Sequence, residues 1–355
     1  MPSDGCCCVQ TADPSSEFGT NPLRRRGDER DLLFYRKRGV SVRLRRNARV
    51  LVTGATGLVG RNLVRRLERL GCRVTGVGSA CDLRERANVR RLIRRARPET
   101  LFHLAARVGG IYANITAKEA FYYDNSAINT NVVREAMETG VPYIFAMGTG
   151  CAYPKRLESS LLRERDYLDG VPETTNDAYA YAKRGLLVHL QAAAEASGMR
   201  YAYCLPANIY GPFDNFHPEH SHVVAGLVRR FADSTRDGVP SVRVWGDGST
   251  RRDFLYIEDC IDAMLRIANS PFQGVVNVAT GRLTTIRKLA SLIALSAGYQ
   301  GIIEFDPARP VGQTRRRFST AVVRRLGWKP KIGLEAGVRL TCAWYARHRD
   351  GAREV

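Results

Sequence analysis

The sequence predicts an α/β fold, a Rossmann-type doubly wound parallel sheet with a smaller mixed α/β substrate domain. Two observations carry this prediction. Near residue 50 an apolar, β-branched run ends in a glycine-rich turn, TGATGLVG, that leads into an amphipathic helical pattern. From there to about residue 206, apolar runs of strand length alternate with helical patterns. Alternation of this kind places parallel strands in one sheet with helices on both faces.

The glycine turn predicts a dinucleotide site. Gly54 lets the chain turn off the strand, Gly57 lets backbone approach a diphosphate, and Gly60 lets the helix pack on the sheet. The first N–H groups of that helix would face an anion. A surface turn is the alternative, but an apolar helical stripe and a capping glycine follow, which favours the nucleotide site. The stripe and the cap are Leu63, Val64, Leu67, Leu70 and Gly71.

The later elements follow in order along the chain. Residues 48–206 form the predicted dinucleotide-binding domain, with strands 73–77, 101–105, 144–147 and 201–205 and helices 87–97, 118–139 and 179–197. The alternation breaks over 206–212. Residues 207–349 are therefore expected to form mainly the substrate domain, with some segments returning to the first. Its predicted elements are helices 223–234, 259–269, 286–297 and 334–347 and strands 242–245 and 275–279.

Composition limits the class of protein. Residues 1–47 are polar and basic without a sustained period, which predicts a mostly disordered extension. The net charge of +20 fits either nucleic-acid binding or a solvated basic surface, and arginines scattered over helix faces favour the surface. An anionic nucleotide substrate also fits. No apolar run approaches the ~20 residues of a membrane span.

The start of the chain lacks the apolar core of a signal peptide. Nine cysteines without a CxxC pair indicate reduced thiols rather than a disulfide framework. These features predict a cytoplasmic protein with no membrane partner and no metal site.

Three side chains predict carbonyl reduction. Thr149 follows strand 144–147, and Tyr179 and Lys183 lie one turn apart on one helix face. An ordinary exposed helix pair is the alternative. A nearby ammonium favours the phenolate, so we expect Lys183 to lower the pKa of Tyr179 and tune it as a proton donor. The Thr149 hydroxyl would hydrogen-bond the same carbonyl oxygen.

Five motifs resemble those of the extended short-chain dehydrogenases/reductases, and within them the GDP-L-fucose synthase family. They are VGGIYAN at 108–114, GTGCAYPK at 148–155, YAYAK at 179–183, PANIYGPFDNFHPEHSHV at 206–223 and VWGDGSTRRDFLYIED at 244–259. The resemblance covers about residues 49–349. It implies an enzyme that takes GDP-4-keto-6-deoxy-D-mannose, epimerises C3 and C5, and reduces C4 with NADPH.

The resemblance also implies the catalytic groups. Cys151 corresponds to the base and His222 to the acid of epimerisation. Thr149 stands where the family usually has Ser, and the neighbouring Gly150 also departs from the family pattern. A C4 ketone acidifies the C–H bonds at C3 and C5, and inversion needs one group to take a proton and another to return it. Thiol and imidazole suit this because their ordinary pKa values, roughly 8.5 and 6.5, bracket neutrality. Considered alone, Cys151 also fits a structural thiol, and His217 and His220 compete with His222.

Binding groups are implied in the same way. Those for NADP(H) are Gly54, Thr56, Gly57, Leu58, Gly60, Asp82, Leu83, Ala105, Ala106, Tyr179, Lys183, Pro206 and Asn208. Those for the GDP-linked 4-keto sugar are Asn208, Val223, Arg230, Trp245, Arg252 and Arg309. An acid that would hold a ribose 2′-hydroxyl is missing from 77–79, which supports NADPH over NADH.

The helices that begin near residues 118 and 179 resemble a pair that forms a four-helix dimer interface in this family, so a homodimer is expected.

Three alternative functions stay open at this stage. One is a nucleotide-sugar 4-ketoreductase without epimerisation, and a second is an epimerase that recycles NAD; either would act on a different GDP- or dTDP-hexose. The third is a nucleotide-sensing or nucleic-acid-binding protein, which the intact Thr149, Tyr179 and Lys183 set argues against.

Overall fold

The computed structural model describes residues 44–309 and 313–351. The predicted extension over 1–47 therefore lies almost wholly outside the described residues. The first half contains β1 (Arg49–Thr53), α1 (Leu58–Arg69), β2 (Arg73–Val77), α2 (Arg86–Ala96), β3 (Thr100–His103), α3 (Ile111–Thr116), α4 (Lys118–Glu138), β4 (Tyr143–Met147), β5 (Leu161–Leu162), α5 (Asp177–Ser197) and β6 (Arg200–Pro206).

The second half begins directly after β6. It contains β7 (Asn208–Tyr210), α6 (Val223–Arg236), β8 (Ser241–Trp245), β9 (Arg251–Arg252), β10 (Phe254–Tyr256), α7 (Ile257–Ala268), β11 (Gly274–Val278), β12 (Thr284–Thr285), α8 (Ile286–Ala297), β13 (Ile302–Asp306), β14 (Arg317–Phe318), α9 (Ala321–Arg325) and α10 (Leu334–His348). Within the described ranges, no helix combines the length and apolar character needed to cross a bilayer.

The central sheet has six strands in the order β11-β6-β4-β3-β1-β2, and each neighbouring pair is parallel. The predicted doubly wound fold is confirmed. Strand order reverses between β1 and β3, which opens a crevice for ligands at the carboxyl ends of these strands. The last strand of the sheet, β11, comes from the second half of the chain. In the part of the chain that the structure describes, four two-stranded sheets lie outside the central one.

Helices on both faces bury the central strands. Every residue of β3 and β4 is buried, and the rings of Phe102 and Phe145 lie 5.3 Å apart across these strands. On α1, Leu63 and Leu67 are buried as the helical stripe predicts, but Leu70 is 43% exposed because it caps the end of the helix. The chain leaves α1 through Gly71 at φ +75°, as the capping prediction requires.

A buried carboxylate joins α2 to α4. Glu135 has no exposed side-chain area, and it accepts hydrogen bonds from Arg86 and Arg90, which lie one turn apart on α2. Burial alone would raise the pKa of Glu135, but the two guanidinium groups hold it below its ordinary value. The ionised carboxylate therefore stabilises the folded chain.

Replacing Glu135 by Gln should lower the free energy of unfolding at pH 7 by about 2 kcal/mol, since two charge-assisted hydrogen bonds are lost. The pKa of Glu135 is lower in the folded state than in the unfolded state. Its contribution is therefore present above the ordinary carboxyl pKa and disappears as pH falls through the folded value.

Urea unfolding between pH 3 and pH 7 measures this effect. The wild-type and E135Q stabilities should converge at the acidic end. Glu119→Gln removes an exposed carboxylate from the first turn of the same helix and serves as the control, with a much smaller effect. A stability difference between wild type and E135Q that does not change with pH would contradict the role given to the charge.

Candidate active site

The glycine turn after β1 is tightly enclosed. Gly54 has φ +70°, and a Cβ on it would lie 2.8 Å from the Ala105 nitrogen. A Cβ on Gly60 would lie 2.1 Å from the Gly54 oxygen, so α1 packs directly against the turn. Gly57 is the N-cap of α1 in extended backbone. The first turn of α1 therefore lies at the carboxyl end of the sheet, next to a turn whose glycines carry no side chains. This arrangement fits the binding of a dinucleotide diphosphate.

The predicted NADP(H)-binding residues Thr56, Asp82 and Leu83 lie close to the end of β2 in the chain or in space. The Thr56 side chain stands against Gly78, where a Cβ would come within 2.5 Å of its methyl group. Asp82 accepts hydrogen bonds from the Arg84 side chain and backbone, which lower its pKa to about 2. Leu83 is buried beside it. The Arg84 guanidinium also pairs with Asp124 of α4, so this corner is organised by ion pairs.

A buried polar network lies beneath the glycine turn. Thr53 and His103 face each other in register at the ends of β1 and β3, and their side chains are 2.9 Å apart. The other ring nitrogen of His103 lies 3.0 Å from Asn129 Oδ1, and Asn129 donates to the Ala182 carbonyl on α5. Burial, with the nearby charge of Lys183, lowers the pKa of His103 to about 3. The imidazole is therefore neutral, and the network ties the cofactor turn to the helix that carries Tyr179 and Lys183.

Lys183 is held under the site rather than exposed. It is 2% exposed, and its Nζ donates to the Met147 carbonyl at 2.9 Å. Burial lowers the pKa of Lys183 to about 8. Its Nζ lies 5.9 Å from the ring centroid of Tyr179. The exposed-pair alternative therefore does not hold for the lysine.

The pKa of Tyr179 is raised, not lowered. Burial is the main cause, followed by electrostatic repulsion from Cys151 and Tyr167 when these groups are ionised. The prediction that Lys183 holds this pKa below its ordinary value is therefore wrong for this geometry, in which the ammonium is bound to the Met147 carbonyl. A phenol that keeps its proton at neutral pH is still the form that a proton donor requires.

A cleft of about 390 Å³ opens beside Tyr179. It brings together most of the predicted reacting and substrate groups, which come from both halves of the chain. Those that line it are Thr149, Cys151, Tyr179, Asn208, His222, Val223, Arg230, Trp245 and Arg252. Asn208 is fixed there because its backbone N–H and its side-chain amide both donate to the Asp253 carbonyl.

Arg309 does not line this cleft. Its side chain is 59% exposed, its guanidinium lies 5.5 Å from the ring centroid of Trp245, and it pairs with Asp306. The basic residue from this part of the chain that does line the cleft is Arg316, which is 8% exposed. The sequence offered no signal for this, because Arg316 stands in a run of three arginines.

Cys151 lies in a short 3-10 helix, Gly150–Ala152, directly after Thr149. Its backbone N–H donates to the Thr149 hydroxyl oxygen at 3.2 Å, and the Arg316 Nη1 donates to its Sγ at 3.2 Å. Burial alone would raise the pKa of Cys151. The charge of Arg316 and the hydrogen bonds from Thr149 and Arg316 outweigh it, so the pKa lies below the ordinary thiol value.

The structure separates three neighbouring histidines. The His217 ring stacks on that of His220 at 4.4 Å, and its Nδ1 accepts from the backbone N–H groups of Glu219 and His220. His222 is the N-cap of α6 and lines the cleft, whereas His217 and His220 do not. The hydrogen bonds of His217 within the loop give it a structural role there. The position of His222 in the cleft favours it as the reacting group.

Comparison with known proteins identifies the family of this chain. Residues 50–279 match the family described as NAD dependent epimerase/dehydratase. The chain belongs to this family. It is 34% identical to the GDP-L-fucose synthase of Escherichia coli (strain K12) over 317 residues, which is 86% of this chain and 98% of that protein.

Further members of the epimerase/dehydratase family cover a similar share of the chain. GDP-L-fucose synthase 1 of Arabidopsis thaliana is 36% identical over 85% of this chain and 94% of its own length. The crystal structure of a GDP-L-fucose synthetase from Naegleria fowleri bound to NADP superposes with a TM-score of 0.80 at 27% identity, covering 88% of this chain and 97% of that one.

Proposed function

We propose that this member of the epimerase/dehydratase family converts GDP-4-keto-6-deoxy-D-mannose to GDP-L-fucose with NADPH. The observation that carries the proposal is the meeting of Cys151, His222 and Tyr179 in one cleft. The relatives named GDP-L-fucose synthase, and the structure titled as bound to NADP, support the same substrate and cofactor.

Epimerisation would use the two groups that a simple reductase does not need. The C4 ketone acidifies the protons at C3 and C5, and donors at the C4 oxygen stabilise the enolate that forms. Tyr179, which keeps its proton, is such a donor. Cys151 takes a proton from one face of the sugar, and His222 returns one from the other.

Reduction would follow at C4, the carbon between the two epimerised positions. The nicotinamide, when bound, supplies the hydride to C4. Tyr179 delivers its proton to the C4 oxygen, and Thr149, at the end of β4, lies in the same cleft to orient that oxygen. Lys183 keeps a positive charge beneath the tyrosine through its hydrogen bond to Met147.

The diphosphate of the substrate would bind at two arginines of the cleft. They are Arg230 and Arg252, which both line it. Burial, with the neighbouring charge of Arg316, lowers the pKa of Arg252 to about 10, because two cations are crowded into a poorly solvated space. An anion between such groups is stabilising, and the planar guanidinium suits phosphate oxygens.

The test is NADPH oxidation on GDP-4-keto-6-deoxy-D-mannose in heavy water, with deuterium located in the product by NMR. Oxidation with deuterium at C3 and C5 is the expected result. Oxidation without deuterium at these carbons would reveal a plain 4-ketoreductase. If no oxidation occurs, the assigned substrate is wrong, and other GDP- or dTDP-linked keto sugars should then be screened.

We also propose a homodimer formed through α4 and α5. These helices pack against each other, and four large side chains on their outer surface are 45% to 60% exposed: Tyr122, Tyr123, Tyr181 and Val188. Apolar surface of this kind is typical of an interface. Sedimentation velocity should give twice the 39.5 kDa of one chain. Val188→Glu should shift the protein to the mass of one chain, and a wild-type monomer would contradict the proposal.

We expect the compartment to be the cytoplasm. The described cysteines, at positions 72, 81, 151, 204, 260 and 342, are all free thiols. Free thiols are usual where the environment is reducing.

A further inference from the structure

The contact between Arg316 and Cys151 joins residues that are 165 positions apart. The Arg316 Nε donates to Gln313 Oε1 at 2.9 Å, which fixes the plane of the guanidinium. Its Nη1 then points at Cys151 Sγ, 3.2 Å away. Both residues that hold this geometry are buried, Gln313 at 7% and Arg316 at 8% exposure.

The strand that follows Arg316 is seated against the thiol's own helix. β14 pairs in parallel with β5, and the Phe318 ring lies over Gly150. A Cβ on Gly150 would come within 2.5 Å of that ring, so the small residue at this position makes room for β14. The glycine that departs from the family pattern therefore has a structural reason. It lets the segment that carries Arg316 approach Cys151.

A guanidinium beside a thiol favours the thiolate, because the attraction exists only in the charged form. Burial raises the pKa of Cys151 and the nearby guanidinium lowers it. The lowering is the larger of the two, because the pKa lies below its ordinary value. Arg252 contributes a second positive charge near the same sulfur. A thiolate between these two arginines also relieves their mutual repulsion.

We propose that Arg316 is a positioning residue for the epimerisation base. Held by Gln313, its guanidinium hydrogen-bonds the Cys151 sulfur and favours the thiolate form in the cleft. The assignment of Cys151 as the epimerisation base rests on the proposed function, whereas the effect of Arg316 on the thiol does not. The competing role for Arg316 is that of a substrate-diphosphate ligand with no influence on Cys151.

Alkylation of the full-length protein with iodoacetamide tests the proposal without any substrate. The labelling rate of the Cys151 peptide is followed by mass spectrometry between pH 5 and pH 10. In the wild type the rate should rise at a pH below that of an ordinary thiol, about 8.5. Arg316→Gln should move this rise upward by at least about one pH unit, which makes labelling at pH 6 roughly tenfold slower. Arg316→Lys should restore much of the wild-type profile.

Two further variants separate the charge effect from misfolding. Arg317→Gln removes an exposed arginine from the next position and should leave the labelling profile unchanged. Gln313→Ala keeps the charge of Arg316 but releases its guanidinium, and should shift the profile in the same direction by less. Thermal melting of each variant checks that it is folded.

Kinetics then complete the comparison. If R316Q labels with the wild-type pH profile and shows only a raised KM for the nucleotide sugar, Arg316 is a diphosphate ligand and the proposal is overturned. If R316Q shifts the labelling profile but no epimerisation is seen in any form of the protein, the proposed function fails while the pairing of Arg316 with Cys151 stands.

Discussion

Tyr179→Phe should lower kcat for reduction by roughly a thousandfold, the range expected when a general acid is removed. The ring contacts, including the edge-on packing of Tyr179 against Phe121 at 6.3 Å, are kept in this variant. Only the hydroxyl that carries the proton is lost. Since Cys151 and His222 are untouched, exchange of solvent deuterium into C3 and C5 should continue at a reduced but measurable rate.

The measurement is NADPH oxidation together with deuterium incorporation in heavy water. Tyr181→Phe is the matched control, because Tyr181 lies two residues along the same helix and is 45% exposed. It should reduce the substrate at close to the wild-type rate. If Y179F reduced the substrate within tenfold of the wild type, the proton would have another donor and the role of Tyr179 would be wrong.

Cys151→Ser should give the opposite pattern, with loss of deuterium exchange at C3 and C5 by roughly a thousandfold. A serine hydroxyl is of similar size, but the Arg316 guanidinium cannot make it an anion at neutral pH. The site for reduction stays intact, so NADPH oxidation on a substrate that needs no epimerisation should survive. The GDP-linked 4-keto sugar that already has the product configuration at C3 and C5 is the substrate for that measurement.

The pH dependence of exchange gives a second test of Cys151. The pKa of the thiol is lowered, so the exchange rate of the wild type should rise with pH and level off at a lower pH than an ordinary thiol would give. Cys72→Ser is the control, since Cys72 lies far from the cleft and donates to the Arg45 carbonyl. An exchange rate that still climbs steeply above pH 8 would mean that the thiol titrates like an ordinary one.

Much of the fold follows from local sequence. The pattern predicted β2 over 73–77 and α8 over 286–297, and both have these bounds in the structure. It missed α3 and β13, which are short. Contacts with other parts of the chain stabilise such elements, and β13, for example, pairs with β8. Periodicity cannot report such elements, because pairing with distant residues stabilises them rather than their own pattern.

The site divides in a similar way. The glycine turn, Thr149, Tyr179 and Lys183 were predicted by residue type and spacing, whereas Cys151 and His222 entered through the family resemblance. Arg316 was not predicted. Arg309 was predicted to bind the substrate, but it contacts Trp245 and does not line the cleft, and the effect of Lys183 on the pKa of Tyr179 had the wrong sign. Each of these three outcomes depends on the distance in space between side chains that are far apart in the sequence.

By itself, the sequence determined the order of the central-sheet strands and of the helices that connect them, the glycine turn and the pair of residues on α5. These depend on intervals of a few residues, within which backbone geometry fixes direction and spacing. The tertiary structure alone decided which arginine reaches the thiol, which of three histidines enters the cleft and where the lysine donates its hydrogen bond. Such contacts join segments up to 165 residues apart. Burial then determines which side chains are ionised and which keep their protons.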